Sequence, residues 1–353
     1  MSAIKEIHYT ICPVANASYI AANKGFLEEG LSRLGVKPVK LQTLSPENWG
    51  HHFNYEDDRL FREGGNTPPI WSKSRGAEPV LIGINPIEGE QVILVRQDSN
   101  IFEPKDLKGA RLGIPVRDKV IIDHQQTSVR QGFQNVLEAF GISEDEVEYV
   151  ELHDDEEQVF GGTGNWIYRV GPDIEALDRG EVDAVFVKLS SPERLLESGK
   201  YRKLIDLFKD QHKVYPVNNE YPNVLTVSKK LAEEEPEVVV EYVKQVILAA
   251  RWAAGHKEEA EKLLAEQTNA TVEQYRKAYP TNFFARLEPG FDDAALRTLD
   301  NRAKFLYDNG FLESRVDVYE WYDRSFLDKA IAELAEQSSD FEGSGIDLDY
   351  KAS

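Results

Sequence analysis

The sequence predicts an α/β protein of two lobes with a helical C-terminal region. Apolar runs typical of buried strands alternate with helical segments in the first two thirds of the chain, a pattern typical of sheets covered by helices. A turn leading into a new buried strand begins at Asp106 and indicates a second unit, whereas the chain beyond residue 228 is almost wholly helical in pattern. A chain of 353 residues is long enough for two such units, each with its own core.

The first lobe opens with a strand, because Glu6–Ile11 alternates polar with apolar, β-branched and aromatic residues. Pro13 suits the first turn of a helix that ends near Gly25. The polar and aromatic segment 45–65 has the pattern of a long loop, and long loops in compact domains are usually functional. The other predicted elements of this lobe are a strand over 36–41 with Pro38 suited to a sheet edge, a helix capped by Thr67, and strands over 79–84 and 91–96, the first apolar enough for the middle of a parallel sheet.

The second lobe repeats the alternation, and the chain then returns to the first lobe before its helical end. The predicted elements are a helix over 127–140, a strand over 147–150, a helix ending at Arg179, strands over 182–187 and 221–227, and helices over 236–255, 260–267, 272–278, 291–309 and 316–335.

Two α/β lobes, the second inserted in the first, resemble the periplasmic-binding-protein type II fold. That architecture places the ligand in the cleft between the lobes, at strand C-termini and helix N-termini. On this interpretation residues 1–105 and 215–337 form lobe 1 and carry the catalytic residues, 106–214 form the inserted lobe 2, and 338–353 form a disordered tail.

Composition excludes several classes of partner. The formal net charge of -21 would repel nucleic acid and anionic membranes, although a small anion could still bind in a local positive pocket. The sequence shows no signal peptide and no apolar run long enough for a membrane span. A single cysteine cannot form an internal disulfide and suits the reducing cytoplasm. We therefore expect a cytoplasmic monomer that needs no cofactor and, because its histidines are scattered, no metal.

The single cysteine, Cys12, follows the first predicted strand and precedes Pro13. At or near a helix N-cap it would face the positive end of the helix dipole, which lowers a thiol pKa and favours a reactive thiolate. The alternative is a buried, inert cysteine, since a free cysteine packs like a small apolar residue.

A candidate anion pocket lies further along the chain. Arg62 can present a planar fork to an oxyanion, and Gly64-Gly65 allows backbone N–H groups to approach it closely. The start of the helix at Thr67 adds donors, and His52 supplies a titratable group nearby. Taken singly, each of these residues is better explained as an ordinary ion pair, a surface histidine or a turn.

Three motifs together resemble the 2'-hydroxybiphenyl-2-sulfinate desulfinase family, which performs the last step of bacterial dibenzothiophene desulfurisation. They are the segments 9–17 (YTICPVANA), 52–55 (HFNY) and 62–69 (REGGNTPP), and the likeness continues through 81–86 and 95–99 and more weakly to Trp321. The family's cysteine, histidine and arginine roles fall on Cys12, His52 and Arg62, and its sulfinate-binding amide falls on Gly65. The sequence departs from the family at Ile11, at Ser128 in place of a pocket tryptophan, and in a shortened segment around 161–166.

The resemblance implies an aryl sulfinate desulfinase, a hydrolase that cleaves the C–S bond of 2'-hydroxybiphenyl-2-sulfinate or a close analogue to give 2-hydroxybiphenyl and sulfite. Cys12 would act either as a nucleophile on sulfur or as a proton donor to the ring carbon, and the sequence leaves both routes open. We expect Gly64, Phe53, Tyr55 and Trp166 to line the substrate site beside Gly65. The rival prediction is a non-catalytic binding protein for an organic sulfonate or similar anion.

Overall fold

The computed structural model describes residues 4–86, 89–154, 171–210, 214–280 and 283–344, with side chains described as far as residue 337. Within these residues the strands form two five-stranded sheets. The strands are β1 (Glu6–Ile11), β2 (Lys37–Lys40), β3 (Leu60–Gly64), β4 (Pro79–Asn85), β5 (Gln91–Arg96), β6 (Arg111–Arg117), β7 (Glu148–Asp154), β8 (Ala184–Lys188), β9 (Tyr201–Asp206) and β10 (Asn223–Ser228).

Helices cover the sheets and make up most of the chain after β10. They are α1 (Ala17–Asn23), α2 (Phe26–Ser32), α3 (His51–Asn54), α4 (Thr67–Ser74), α5 (His124–Phe140), α6 (Pro172–Arg179), α7 (Ser191–Leu196), α8 (Lys229–Glu234), α9 (Pro236–Gly255), α10 (Lys257–Gln267), α11 (Val272–Ala278), α12 (Asp293–Asp308) and α13 (Ser325–Ser344). Short 3₁₀ turns lie at Leu41–Thr43, Pro46–Asn48, Pro104–Leu107, Glu144–Glu146 and Phe283–Arg286. The predicted α/β class with a helical C-terminal region is confirmed.

The first sheet has the strand order β2-β1-β3-β10-β4. Strands β1, β2 and β3 are parallel, whereas β10 runs antiparallel to both β3 and β4. The edge position of Pro38 is confirmed, since β2 is an outer strand. The central position predicted for 79–84 is wrong, because β4 is the other outer strand; its apolar residues are covered instead by α12 and its neighbours.

The second sheet has the order β7-β6-β8-β5-β9. Strand β5 pairs antiparallel with β8 and β9, so the predicted lobe boundary after residue 105 lies too late in the chain. The physical reason is that an apolar run can be buried in either sheet, and its local pattern does not specify its pairing partner.

The segment 45–65 is not a loop. It contains a 3₁₀ turn, the short helix α3 and the strand β3, all five of whose residues are buried. Arg62 and Glu63 lie inside this central strand, and these charged residues interrupt the apolar pattern by which a buried strand is normally detected.

The main core lies between the first sheet and helices that include α1, α2 and α9. Within it the ring of Tyr242 on α9 stacks on Phe61 of β3 at a centroid distance of 3.9 Å. Helix α13 continues to Ser344, so the predicted disordered tail does not begin at residue 338, and residues 345–353 lie outside the described part. None of the described helices combines the length and apolar character needed to cross a membrane.

Candidate active site

The site forms where β1 and β3 end side by side. The two strands are parallel, with Ile11 opposite Glu63, and the Cys12 N–H donates to the Glu63 carbonyl at 2.9 Å. Parallel pairing places the residues after both strands at the same edge of the sheet, where open α/β sheets bind ligands. Two motifs that lie fifty residues apart in the sequence therefore become neighbours.

The close approach of the Cys12 side chain to the end of β3 requires a glycine at position 64. A Cβ atom at Gly64 would lie 2.1 Å from the Cys12 Sγ and 2.5 Å from its Cβ, well inside van der Waals contact. The φ angle of +156° is also one that side chains rarely adopt. The glycine thus lets the thiol lie directly against the β3 backbone.

The Cys12 thiol contacts both partners predicted from the sequence. The Sγ lies 3.5 Å from His52 Nε2, and Arg62 Nη2 donates to it at 3.4 Å. The backbone N–H of Gly65 acts on the same sulfur, since it lowers the pKa of the thiol. The structure therefore brings Cys12, His52, Arg62 and Gly65 into one cluster around a single sulfur atom.

His52 is held by a hydroxyl that the sequence did not reveal. Its Nδ1 lies 2.8 Å from Thr10 Oγ1, which accepts a second hydrogen bond from Gln42 Nε2 at 2.8 Å. Burial, and then the charge of Arg62, lower the pKa of His52 well below its usual value, so the ring is neutral at neutral pH. A neutral ring with one nitrogen anchored presents the other nitrogen, Nε2, to the thiol.

Arg62 is almost fully buried, with 1% of its surface exposed. Its Nε donates to the His52 carbonyl at 3.0 Å, and its Nη1 donates to the Gly65 carbonyl at 2.8 Å. Two of the three guanidinium nitrogens, Nε and Nη1, are therefore hydrogen-bonded to backbone carbonyls, so the two-pronged binding of an oxyanion suggested by the sequence is largely precluded. Nη2 is the edge that faces the thiol and can meet an oxyanion beside it.

The environment predicted for Cys12 is wrong in one respect. Helix α1 begins at Ala17 and is capped by Asn16, whose side chain accepts from the Tyr19 N–H, so Cys12 lies outside the helix terminus. Burial raises the pKa of Cys12 more than the opposing effects of Arg62 and the Gly65 N–H lower it, and the charges of Glu220 and Glu63 raise it further. Cys12 is thus a neutral thiol at neutral pH.

Two of the three aromatic residues predicted to line the site are buried close to it. Phe53 is buried in a small cluster with Ile122. Its ring meets the His52 ring edge-on, with the two ring centroids 4.6 Å apart. Tyr55 is buried with Leu41 and Leu60, and its hydroxyl lies 2.6 Å from Thr226 Oγ1. Phe53 therefore packs directly on a residue of the thiol cluster, and Trp166 lies outside the described residues.

Sequence reasoning missed Asn219 and Glu220, which approach from the segment before β10. The Asn219 side chain accepts from the Thr67 N–H at 2.9 Å, donates to Glu220 at 2.7 Å and lies so close to Gly65 that a Cβ there would be 2.3 Å away. Neither residue belongs to a recognisable motif. No group of three or more potential metal-ligating side chains occurs in the described ranges.

No family model matches the chain. The 2'-hydroxybiphenyl-2-sulfinate desulfinase of Rhodococcus erythropolis is 28% identical over 360 residues, covering 94% of this chain and 95% of that protein. The crystal structure of a Cys-to-Ser mutant of the desulfurization enzyme DszB in complex with biphenyl-2-sulfinic acid superposes with a TM-score of 0.74 at 27% identity, covering 94% of this chain and all of the other. The resemblance inferred from the sequence is therefore confirmed.

The periplasmic aliphatic sulphonate binding protein SsuA from Escherichia coli shares the fold alone. Its TM-score is 0.65 at 16% identity, and the match covers 91% of this chain and 98% of SsuA. The predicted likeness to periplasmic binding proteins is confirmed at the level of architecture.

Proposed function

We propose that this chain is an aryl sulfinate desulfinase, a hydrolase that cleaves the C–S bond of 2'-hydroxybiphenyl-2-sulfinate or a close analogue and releases sulfite. The observation that carries the proposal is the Cys12 sulfur, which contacts both His52 Nε2 and Arg62 Nη2. The similarity over 94% of the chain to a desulfinase supports it.

The net reaction adds water across the C–S bond, so that an aryl sulfinate and water give the arene and hydrogen sulfite. In one route the Cys12 thiol transfers its proton to the ring carbon that bears sulfur, and the C–S electron pair forms the new C–H bond. Sulfur dioxide then leaves and is hydrated, and the proton released by hydration restores the thiol. In the other route a thiolate attacks sulfur, the ring carbon takes a proton, and water cleaves the resulting S–S bond.

The direction of the Cys12 pKa favours the first route. Burial keeps the thiol protonated at neutral pH, so the proton that the ring carbon needs is already on the sulfur. His52 is neutral and its Nε2 lies 3.5 Å from the sulfur, where it can stabilise or shuttle that proton. Arg62 Nη2 and the Gly65 N–H would hold the sulfinate oxygens and withdraw charge from sulfur.

The test is a sulfite-release assay with a panel of aryl sulfinates, run on the wild type and on Cys12→Ser. We expect sulfite and the corresponding arene in equal amounts from the wild type and none above background from Cys12→Ser. Cys12→Ser should keep its fold, since the exchange is nearly isosteric, and should still bind the substrate. Undiminished sulfite release by Cys12→Ser would remove the thiol from the mechanism.

The second candidate is a non-catalytic receptor for a sulfonate or similar anion, which the architecture shared with SsuA favours. A receptor would bind aryl sulfinates without producing sulfite, and Cys12→Ser would bind as well as the wild type. We further propose that the protein acts as a cytoplasmic monomer without a cofactor. Light scattering of the purified protein tests whether it is a monomer. Activity after exhaustive chelation tests whether it needs a metal cofactor.

A further inference from the structure

The surface that approaches the Cys12 site from the second sheet is lined by polar and charged side chains. Helix α5 begins at His124, two residues after Ile122 in the sequence. Ile122 packs against Phe53, the neighbour of His52. One turn later Ser128 Oγ accepts a hydrogen bond from the Asn219 N–H at 3.4 Å. The first turn of α5 therefore contacts the same segments that hold His52 and Gly65.

Lys188, the last residue of β8, reaches the same region. Only 9% of its side chain is exposed, and its Nζ donates to Glu220 Oε2 at 2.6 Å. The other Glu220 oxygen accepts from Asn219 Nδ2, whose side chain lies against Gly65. The ammonium group has three donors, and Glu220 uses one of them.

His124 lacks a partner at one ring nitrogen. Its Nδ1 is buried and makes no hydrogen bond to any residue in the described part of the chain. Burial and the nearby charges of Arg117, Lys188 and Arg62 lower the pKa of His124 well below its usual value, and His52 acts in the same direction. Of the carboxylates near this region, Asp123 is paired with Arg117 and Glu220 with Lys188. A neutral His124 can thus offer a buried donor to an oxygen that no described residue supplies.

We propose that His124 and Lys188 form a second binding subsite, which takes an anionic oxygen substituent, a carboxylate, on the aryl sulfinate substrate. This inference rests on the proposed desulfinase function. An unsubstituted hydrocarbon ring in this position would leave the His124 nitrogen unpaired and would remove water from the Lys188–Glu220 pair without compensation. A carboxylate would accept hydrogen bonds from both side chains, and the substrate would then carry two anionic groups at its two ends.

The experiment compares kcat/KM for sulfite release from biphenyl-2-sulfinate and from 2'-carboxybiphenyl-2-sulfinate. We expect the wild type to prefer the carboxylated substrate by about tenfold or more, the effect of one hydrogen bond to a charged group. In His124→Leu this preference should fall by about tenfold. His153→Leu is the matched control, because His153 is exposed and pairs with Asp118, and it should keep the wild-type preference.

Equal kcat/KM values for the two substrates would overturn the subsite. A preference that survives both His124→Leu and the double variant Lys188→Met/Glu220→Gln, which removes the buried pair together, would also overturn it. If neither substrate yields sulfite, the desulfinase function fails. The dissociation constants of the two compounds for Cys12→Ser then decide the subsite separately, by whether the carboxylated compound binds more tightly and loses that advantage with His124→Leu.

Discussion

Replacing Gly64 with alanine tests whether the thiol must lie directly against the β3 backbone. The new Cβ would lie 2.1 Å from the Cys12 Sγ, whereas non-bonded heavy atoms are stable at about 3.5–4.0 Å. The sulfur or the strand must therefore move by roughly 1.5 Å. A displacement of about 1 Å in a catalytic group can cost about 100-fold in rate, so we expect kcat/KM to fall by at least about that factor.

The sulfite-release assay measures this loss, and Gly109→Ala is the control. Gly109 also has a positive φ, +81°, but a Cβ there would meet nothing within 4 Å. Both variants place a Cβ at a positive φ, and the resulting strain lowers the free energy of unfolding by about 1–2 kcal/mol. Only Gly64→Ala should lose activity and alter the rate at which the thiol is alkylated. Wild-type turnover by Gly64→Ala would refute the idea that this close contact positions the reacting atom.

Three further substitutions test the surroundings of the thiol. Thr10→Val keeps the shape but removes the hydroxyl that anchors His52, so kcat for sulfite release should fall by about tenfold or more with little change in KM; an unchanged kcat would contradict this. Arg62→Lys cannot keep the hydrogen bonds to the His52 and Gly65 carbonyls, so kcat/KM should fall by about 100-fold, and near-wild-type activity would argue against this bracing role. Burial raises the pKa of Glu63 from 4.5 to about 7, so the free energy of unfolding decreases as the pH rises from 4.5 to about 7. Glu63→Gln should therefore raise the Tm relative to wild type at pH 8 but not at pH 4, and an equal shift at both would refute this.

The candidate site was predictable from the sequence where its residues stand in short motifs. Cys12 precedes a proline in a strand-to-helix segment, and Arg62 stands two residues before Gly64-Gly65. Both motifs carry enough local chemistry to indicate an anion site. Their contact follows from the parallel pairing of β1 with β3, which no local pattern specifies.

The residues that sequence reasoning missed act through tertiary contacts. Thr10 looks like any β-branched strand residue until His52 is placed 2.8 Å from its hydroxyl. Asn219 lies in a segment without periodicity. It lies 152 positions after its hydrogen-bond partner Thr67, so its contact with Gly65 exists only in the folded chain. The direction of the Cys12 pKa was mispredicted for a related reason, because burial is a tertiary property and here it outweighs the neighbouring positive charge.

Arg302 on α12 has a consequence for how the molecule unfolds. Its fully buried guanidinium donates to Thr67 Oγ1 on α4, beside the first sheet, and to Thr127 and Gln131 on α5, beside the second. Separating the two sheets would break its hydrogen bonds to one of them, and a hydrogen bond to a charged group contributes about 1.5–3 kcal/mol. The two halves and the C-terminal helices should therefore melt in one calorimetric transition, and Arg302→Met should split that transition in two if this residue couples them.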